Sequence, residues 1–182
     1  MEIKAGLLLV AEPFMLDPNF KRSVVLICEH TEVGTTGFVL NKPLDVRIHE
    51  LVADFPESSA MVYMGGPVAV DSVHYLHNVG DLLDNSVEVS PGVFWGGDFE
   101  KLKFLMENGV IKDNNIKFFV GYSGWTEGQL ADELKEDSWL LDEMDSNYLF
   151  KIKPLVLWQS VLHNKGNTYT VIAQMPDSIS LN

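Results

Sequence analysis

Ile116-Lys117-Phe118-Phe119-Val120-Gly121-Tyr122-Ser123-Gly124-Trp125-Thr126-Glu127-Gly128-Gln129-Leu130, running on through Glu133-Leu134 to Trp139, joins a short apolar run to a cluster of glycines and aromatics. A core needs volume and apolarity and is indifferent to the order Gly-Tyr-x-Gly-Trp, so this order answers a local need. Ile116 to Val120 reads as a strand ending at Gly121, glycine opens backbone conformations closed to other residues, and Thr126 with Gln129 three positions on reads as a capping box. The reading is a strand, a tight turn and a helix. Such a turn presents backbone N–H groups at a helix N-terminus, a common seat for an anionic or polar ligand.

Working outward, Val24 to Cys28 and Gly37 to Leu40 are apolar runs rich in β-branched residues and are expected to form neighbouring strands with a hairpin-like connection. Asp45 is expected to cap a short helix carrying Ile48, Leu51, Val52 and Phe55, which Pro56 stops. Gly65-Gly66-Pro67 punctuates two strand-like pieces, Ala60 to Met64 and Val73 to Leu76. Asp98 starts a helix through Leu102, Leu105 and Met106 that Asn108-Gly109 closes. Pro154 suits the first turn of a helix with Leu155, Trp158 and Leu162, and Thr168 to Ala173 reads as a last strand. Strands and helices interleave too irregularly for a doubly wound parallel sheet, so the fold class is mixed α/β (α+β). No linker divides residues 1–182, a length that suits one domain.

Three irregular segments carry a family likeness. The first is Gly6-Leu7-Leu8-Leu9-Val10-Ala11-Glu12-Pro13, continuing through Asp17, Phe20, Arg22-Ser23-Val24-Val25 and Cys28-Glu29-His30 to Gly37-Phe38-Val39-Leu40-Asn41-Lys42-Pro43. The second is Tyr63-Met64-Gly65-Gly66-Pro67-Val68, and the third is Gly121-Tyr122-Ser123-Gly124-Trp125. In order and spacing they resemble the bacterial YqgE/AlgH family, over residues 6–139. The resemblance implies a bent, partly barrel-like β-sheet with helices packed outside. It also implies a family described mostly as uncharacterised proteins or as transcriptional regulators, a label drawn from a link to exopolysaccharide production that carries no known chemistry.

Charge bounds the partners. With 13 basic against 26 acidic residues the chain has a net charge of −13. Between Thr126 and Ser146 eight acids face the single base Lys135. Nucleic-acid binding draws its affinity from Lys and Arg against phosphate, and no basic cluster larger than Lys21-Arg22 or Lys101/Lys103 occurs, so direct DNA contact is not expected. The acidic run reads either as a solvated face or as a docking surface for a basic partner, the former being the commoner use. A hydrophobic content of 46% supports a packed globule. No segment reaches the ~18 apolar residues of a membrane span, and Gly6 to Ala11, preceded by Glu2 and Lys4, makes a poor signal peptide. A cytoplasmic protein without membrane attachment is expected. The one cysteine, Cys28, excludes an internal disulfide and fits a reducing compartment.

Among candidate site residues, Arg22 could fork a carboxylate or phosphate, or could pair with Asp17 to fix the loop after Pro13. Asn41 either braces its turn or points into a cleft. Gly65 and Gly66 could cradle an anion, or simply turn the chain between two strands. Trp125 beside Gly124 is the better recognition candidate of the pair Trp125 and Trp139. Cys28 with His30 is spaced too far along a strand for a nucleophile pair, Ser123 lacks the Gly-x-Ser-x-Gly frame, and His74 with His77 would fall on opposite faces of a strand. No catalytic residue, metal set or cofactor is therefore assigned. The reading favoured is a binding module for a small polar ligand or a protein, lined by Asp17, Arg22, Asn41, Gly65, Gly66, Tyr122, Gly124, Trp125, Gln129 and Glu133. An enzyme acting on a small polar substrate, with Asp17, Arg22 and Glu133 converging, is the alternative, and a DNA-binding factor the third. At least three of Asp17, Arg22, Asn41, Gly66 and Tyr122 are expected in one cleft, with the Thr126-capped helix aimed at it.

Overall fold

The longest strand runs from Ile116 to Thr126, through the Gly-Tyr-Ser-Gly-Trp stretch rather than stopping before it. The structure is a computed structural model and describes residues 1–176. In chain order its elements are β1 (Leu7–Ala11), β2 (Val24–Thr31), β3 (Gly34–Val39), β4 (Pro43–Arg47), α1 (Ile48–Leu51), β5 (Met61–Met64), β6 (Val68–His77), β7 (Val87–Ser90) and β8 (Val93–Trp95). They continue with α2 (Phe99–Glu107), β9 (Ile116–Thr126), α3 (Gln129–Lys135), β10 (Trp139–Glu143), α4 (Ser146–Phe150), α5 (Pro154–Asn164) and α6 (Asn167–Ala173).

The sheet order is β10-β1-β2-β3-β9-β6-β8-β7, with β5 beside β9 and β4 beside β5. β9 is the seam. Its first half pairs in parallel with β5 (Phe119 opposite Tyr63) and its second half pairs antiparallel with β3 (Gly124 opposite Thr36), while β6 runs along its other side. The change of partner happens at Gly121, whose φ of +66° bends the strand. A Cβ on Gly121 would stand 2.5 Å from the Gly66 carbonyl oxygen, and one on Gly66 would stand 2.2 Å from the Tyr122 carbonyl carbon. These two glycines let one backbone press on another, which is the local need behind the glycine pattern. Four residues of β6, Ala69 to Ser72, bulge out between the pairs Val68–Tyr122 and Val73–Val120.

The sheet curls into a half-barrel. One apolar cluster joins Leu8 and Val10 on β1 to Leu26, Phe38, Phe119, Leu76, Val93 and Val89 at the far end of the strand order, which only the inside of a curl can do. α5 closes part of this concave face with Leu157, Trp158, Val161 and Leu162, all buried. Two further clusters lie on the convex side. One sits around Phe118, Tyr75 and Ile116 under Leu102 of α2; the other sits around Leu9, Val25, Trp125 and Trp139 under Leu130 of α3.

Several local expectations change. Asp45 lies within β4, and α1 is capped from Arg47, where the Glu50 carboxylate accepts the backbone N–H. Ile48 and Phe55 are buried, but Leu51 is exposed, as is Leu155 at the start of α5. Thr168 to Ala173 belongs to α6 rather than to a strand, because it docks on α5, with Gln159 donating to the Ala173 carbonyl. Asp98 does cap α2, Gly109 follows it with positive φ, and Pro154 opens α5.

Candidate functional site

α3 is where the sequence places an anion seat, and there the structure turns the Gln129 and Glu133 side chains to internal partners. Its N-cap is Gly128, in the left-handed region, not Thr126. The Gln129 side chain accepts from the Thr126 backbone N–H and donates to Glu133. One Glu133 oxygen accepts the indole N–H of both Trp125 (2.9 Å) and Trp139 (2.8 Å). Both tryptophans are buried, so Trp125, Gln129 and Glu133 form a brace that pins α3 to the convex face. Trp125 thereby anchors α3, and it also lines the groove beside Tyr122 described below.

Asp17, Arg22 and Asn41 meet at a second place. Asn41 accepts from the Val24 N–H at 3.0 Å and donates to the Arg22 carbonyl at 2.9 Å, which makes it a staple at the start of β2. Asp17 accepts from the Asn19 N–H, and Lys42 donates to the Pro18 and Asn19 carbonyls. Arg22, held at φ +53°, stacks 5.0 Å over Trp158 and donates to the Met175 carbonyl at 2.6 Å. This loop is thus tied to α5 and to the segment after α6. Gly65 is consumed too: its N–H goes to Val120, and its carbonyl accepts from Val39 N–H and Ser123 Oγ. Gly66 and Tyr122 adjoin at the β9 bulge, and of these five residues Tyr122 lines the groove described below.

Tyr122 leads to a site the sequence does not announce. Strand alternation puts Lys117 and Phe119 on the concave face, and the bend at Gly121 resets the alternation so that Tyr122, Gly124 and Thr126 face the same way. Tyr122 meets His74 edge to face at 6.1 Å. His74 lies 5.0 Å from Phe38, and Phe38 lies 5.7 Å from Trp95 and 5.5 Å from Phe119. Phe119 lies 5.7 Å from Tyr63, and the Lys117 Nζ stands 4.7 Å over the Tyr63 ring. The result is an aromatic strip along the concave wall, with Phe38 and Phe119 as its buried floor and Tyr122, His74, Trp95 and Lys117 partly exposed.

Not all of the polar atoms of this strip are spent. Trp125, Trp139 and Trp158 donate their indole N–H to Glu133, Glu133 and the Ala11 carbonyl. Among the described residues no protein acceptor takes the N–H of Trp95 or the hydroxyl of Tyr122. His74 hydrogen-bonds Ser72 at 3.0 Å, and burial lowers its pKa, so the ring is neutral at neutral pH. Beside Tyr122 the strip opens into a groove of about 380 Å³ lined by Glu29, Thr31, Thr36, Val68, Gly124 and Thr126 among others, a size suited to a small molecule.

Elsewhere, Cys28 is buried in the concave core, and desolvation raises its thiol pKa far above the ordinary range, so it is an inert apolar residue. Ser123 is fully buried, donating to Gly65. His74 and His77 alternate across β6, and His77 is turned to the convex side, where its Nε2 pairs with the Gly96 carbonyl.

The comparisons with known proteins follow this architecture. The AlgH-like family model matches residues 8–170. The chain belongs to the AlgH-like family. A UPF0301 protein of Chlorobaculum tepidum is 45% identical over 180 residues, covering 99% of this chain and 96% of that relative. A UPF0301 protein of Cytophaga hutchinsonii is 39% identical, covering 97% and 98%. The solution structure of the AlgH protein of Pseudomonas aeruginosa superposes with a TM-score of 0.74 at 27% identity, covering 98% of this chain and 100% of that one. Protein DIP2367 of Corynebacterium diphtheriae shares the fold, with a TM-score of 0.80 at 24% identity over 96% and 94%. The AlgH-like half-barrel thus extends over the described chain, and no helix among the described residues is long and apolar enough to cross a membrane.

Two of the strip's members, Trp95 and Lys117, lie outside the family motifs, and Phe38 lies within the first of them without being singled out. The signal that existed was strand alternation: Lys117 and Phe119 on one side of β9, His74 and Leu76 on one side of β6. It names a face, but not the ring contacts across five strands.

Proposed function

We propose that this AlgH-like protein is a regulatory binding module that recognises a small polar ligand on the concave aromatic strip. The observation that carries the reading is Trp95, whose indole N–H, unlike those of Trp125, Trp139 and Trp158, finds no acceptor within the described residues. With the Tyr122 hydroxyl it supplies donors on an aromatic wall, a combination that suits a planar group bearing carbonyl or carboxylate oxygens. A protein segment presenting such a group is the second reading, favoured by Val33, 82% exposed on the rim of the groove.

Regulation through direct DNA contact is the weaker alternative. Lys101, Lys103, Lys135 and Lys165 each pair with a carboxylate, on Asp84, Glu100, Asp132 and Asp142. Paired cations on a chain of net charge −13 give little counterion release against phosphate.

The test follows the four indole N–H signals in a nitrogen–proton correlation spectrum while small carboxylates, nucleotides and aromatic amides are titrated. A ligand that moves the Trp95 signal and leaves those of Trp139 and Trp158 in place supports the reading. Ligands that bind without moving Trp95, or salt-sensitive nanomolar binding of duplex DNA in place of any ligand, would replace it.

A further inference from the structure

The edges of the curled sheet are guarded, with one exception among the described residues. On β10 the Lys165 Nζ donates to the Leu141 carbonyl at 2.7 Å. β7 closes against the chain before β1, where a Cβ on Gly6 would stand 2.3 Å from the Val89 carbonyl oxygen. β4 opens on Pro43 and carries Asp45 and Arg47. Lysine cover, proline and edge charge are how a strand refuses a further partner. The exception is the last part of β9. β3 lies along one side of Ser123 to Thr126, and on the other side the β6 register begins at Val68, opposite Tyr122, so no strand of the described residues lies beside Gly124 there. The Thr126 N–H turns away from β3 to the Gln129 side chain. By the two-residue alternation of a strand, Gly124 presents its N–H and C=O on that same open side. Gly124 is exposed and has no side chain to bar approach.

The register shows what this edge overlooks. Gly124 lies opposite Thr36, and Thr36 opposite Glu29; Thr126 lies opposite Gly34, and Gly34 opposite Thr31. The two rows floor the groove of about 380 Å³ beside Tyr122, with Val68 at one end and the exposed Val33 at the other. Between the open edge and Glu29 stand only a glycine and a threonine, so a long side chain opposite Gly124 can lie over them toward the carboxylate. Glu29 has no cation or hydrogen-bond donor among the described residues, and no Lys, Arg or His lines the groove.

We propose that the Gly124 edge of β9 takes an extended basic segment of another protein as an added strand, with an Arg or Lys opposite Gly124 reaching toward Glu29 and a small apolar residue opposite Thr126 beside Val33. Gly124 supplies a narrow backbone pair, and the Glu29 carboxylate supplies the choice of charge. One such pair holds a peptide weakly, which suits a transient contact. A second copy of this chain fits the seat less well, because each copy carries a net charge of −13. The seat is separate from Trp95, so this proposal and ligand recognition on the strip are read at different signals and can fail independently.

The test titrates the intact protein with the pentapeptide acetyl-Thr-Val-Thr-Arg-Thr amide, and with its counterpart carrying Glu in place of Arg, while backbone amides are followed in a nitrogen–proton correlation spectrum at low salt. The Arg peptide is expected to move the Gly124 amide signal and to bind about tenfold tighter than the Glu peptide, since Glu29 attracts the one and repels the other. In Glu29→Gln the Arg peptide should still move Gly124, while its preference falls to about twofold or less, which separates the reading of charge from backbone pairing. A Gly124 signal that neither peptide moves, or equal affinity for both peptides in the parent chain, would overturn the proposal. Gly124 shifts that grow with protein concentration alone would also overturn it, by marking a second copy as the occupant. Peptide binding that moves the Trp95 indole and leaves Gly124 in place would do the same, by assigning the peptide to the strip.

Discussion

Trp125 and Trp139 meet edge to face, 5.9 Å between ring centroids, and both point their indole N–H at one oxygen of Glu133. Phe20 completes the cluster, 6.0 Å from Trp125 and 5.4 Å from Trp139. Through Glu133, α3 is locked to β9 and to β10, and a carboxylate that looked like a site residue becomes a joint.

Glu133→Ala should therefore destabilise the fold by about 3 kcal/mol, since two buried indole donors lose a charged acceptor, whereas Glu133→Gln, which keeps a carbonyl oxygen, should cost about 1 kcal/mol. Urea unfolding followed by tryptophan fluorescence measures both. Equal losses in the two variants would show that packing, not the shared carboxylate, holds α3.

Gly121→Ala and Gly128→Ala separate strain from collision. Both glycines have positive φ, +66° and +74°, but a Cβ at Gly121 stands 2.5 Å from the Gly66 oxygen, while one at Gly128 meets nothing within 4 Å. Gly128→Ala should cost about 1 kcal/mol and Gly121→Ala about 3 kcal/mol or more. Thermal midpoints of the two proteins give the comparison, and a Gly121 variant as stable as the Gly128 variant would mean that the bulge can relax.

Asn41→Ala removes a bond to the Val24 N–H and another to the Arg22 carbonyl, and it should cost about 2 kcal/mol. Asn41→Asp keeps the acceptor and loses the donor, so roughly half of that loss is expected. Hydrogen exchange at the Val24 amide reads the staple directly: it should quicken strongly in the Ala variant and modestly in the Asp variant.

The Lys117 charge works against the fold at neutral pH. Its folded pKa, about 8, lies below its ordinary 10.5, so folding releases a proton between those values and stability rises with pH across that window. Below pH 8 both states are protonated and the penalty is constant. Lys117→Met should thus be more stable than the parent at pH 7, by on the order of 2 kcal/mol after allowance for residual exposure, and the advantage should vanish toward pH 10.5. Paired denaturation curves at pH 7 and pH 10 check the sign; an advantage that grows with pH contradicts it.

The sequence by itself determined the features whose causes are local. Asp98 and Pro154 mark helix starts through groups within one turn, the β-branched runs at Val24 and Gly37 pair across a short hairpin, and the Gly-Gly-Pro and Gly-Tyr-Ser-Gly-Trp segments identify the relatives. Tertiary structure decided the rest, because the partners lie far away in the chain. β9 runs on past Gly121 since Gly66, more than fifty residues earlier, lends its backbone to the bulge; Thr168 to Ala173 is helical since α5 offers a face to dock on. Trp125 is inside since Glu133 and Trp139 converge on it. The concave strip, too, exists only once the sheet has curled: Phe38, Tyr63, His74, Trp95 and Phe119 come from β3, β5, β6, β8 and β9, and no periodicity within one strand records which rings a curl will bring face to face.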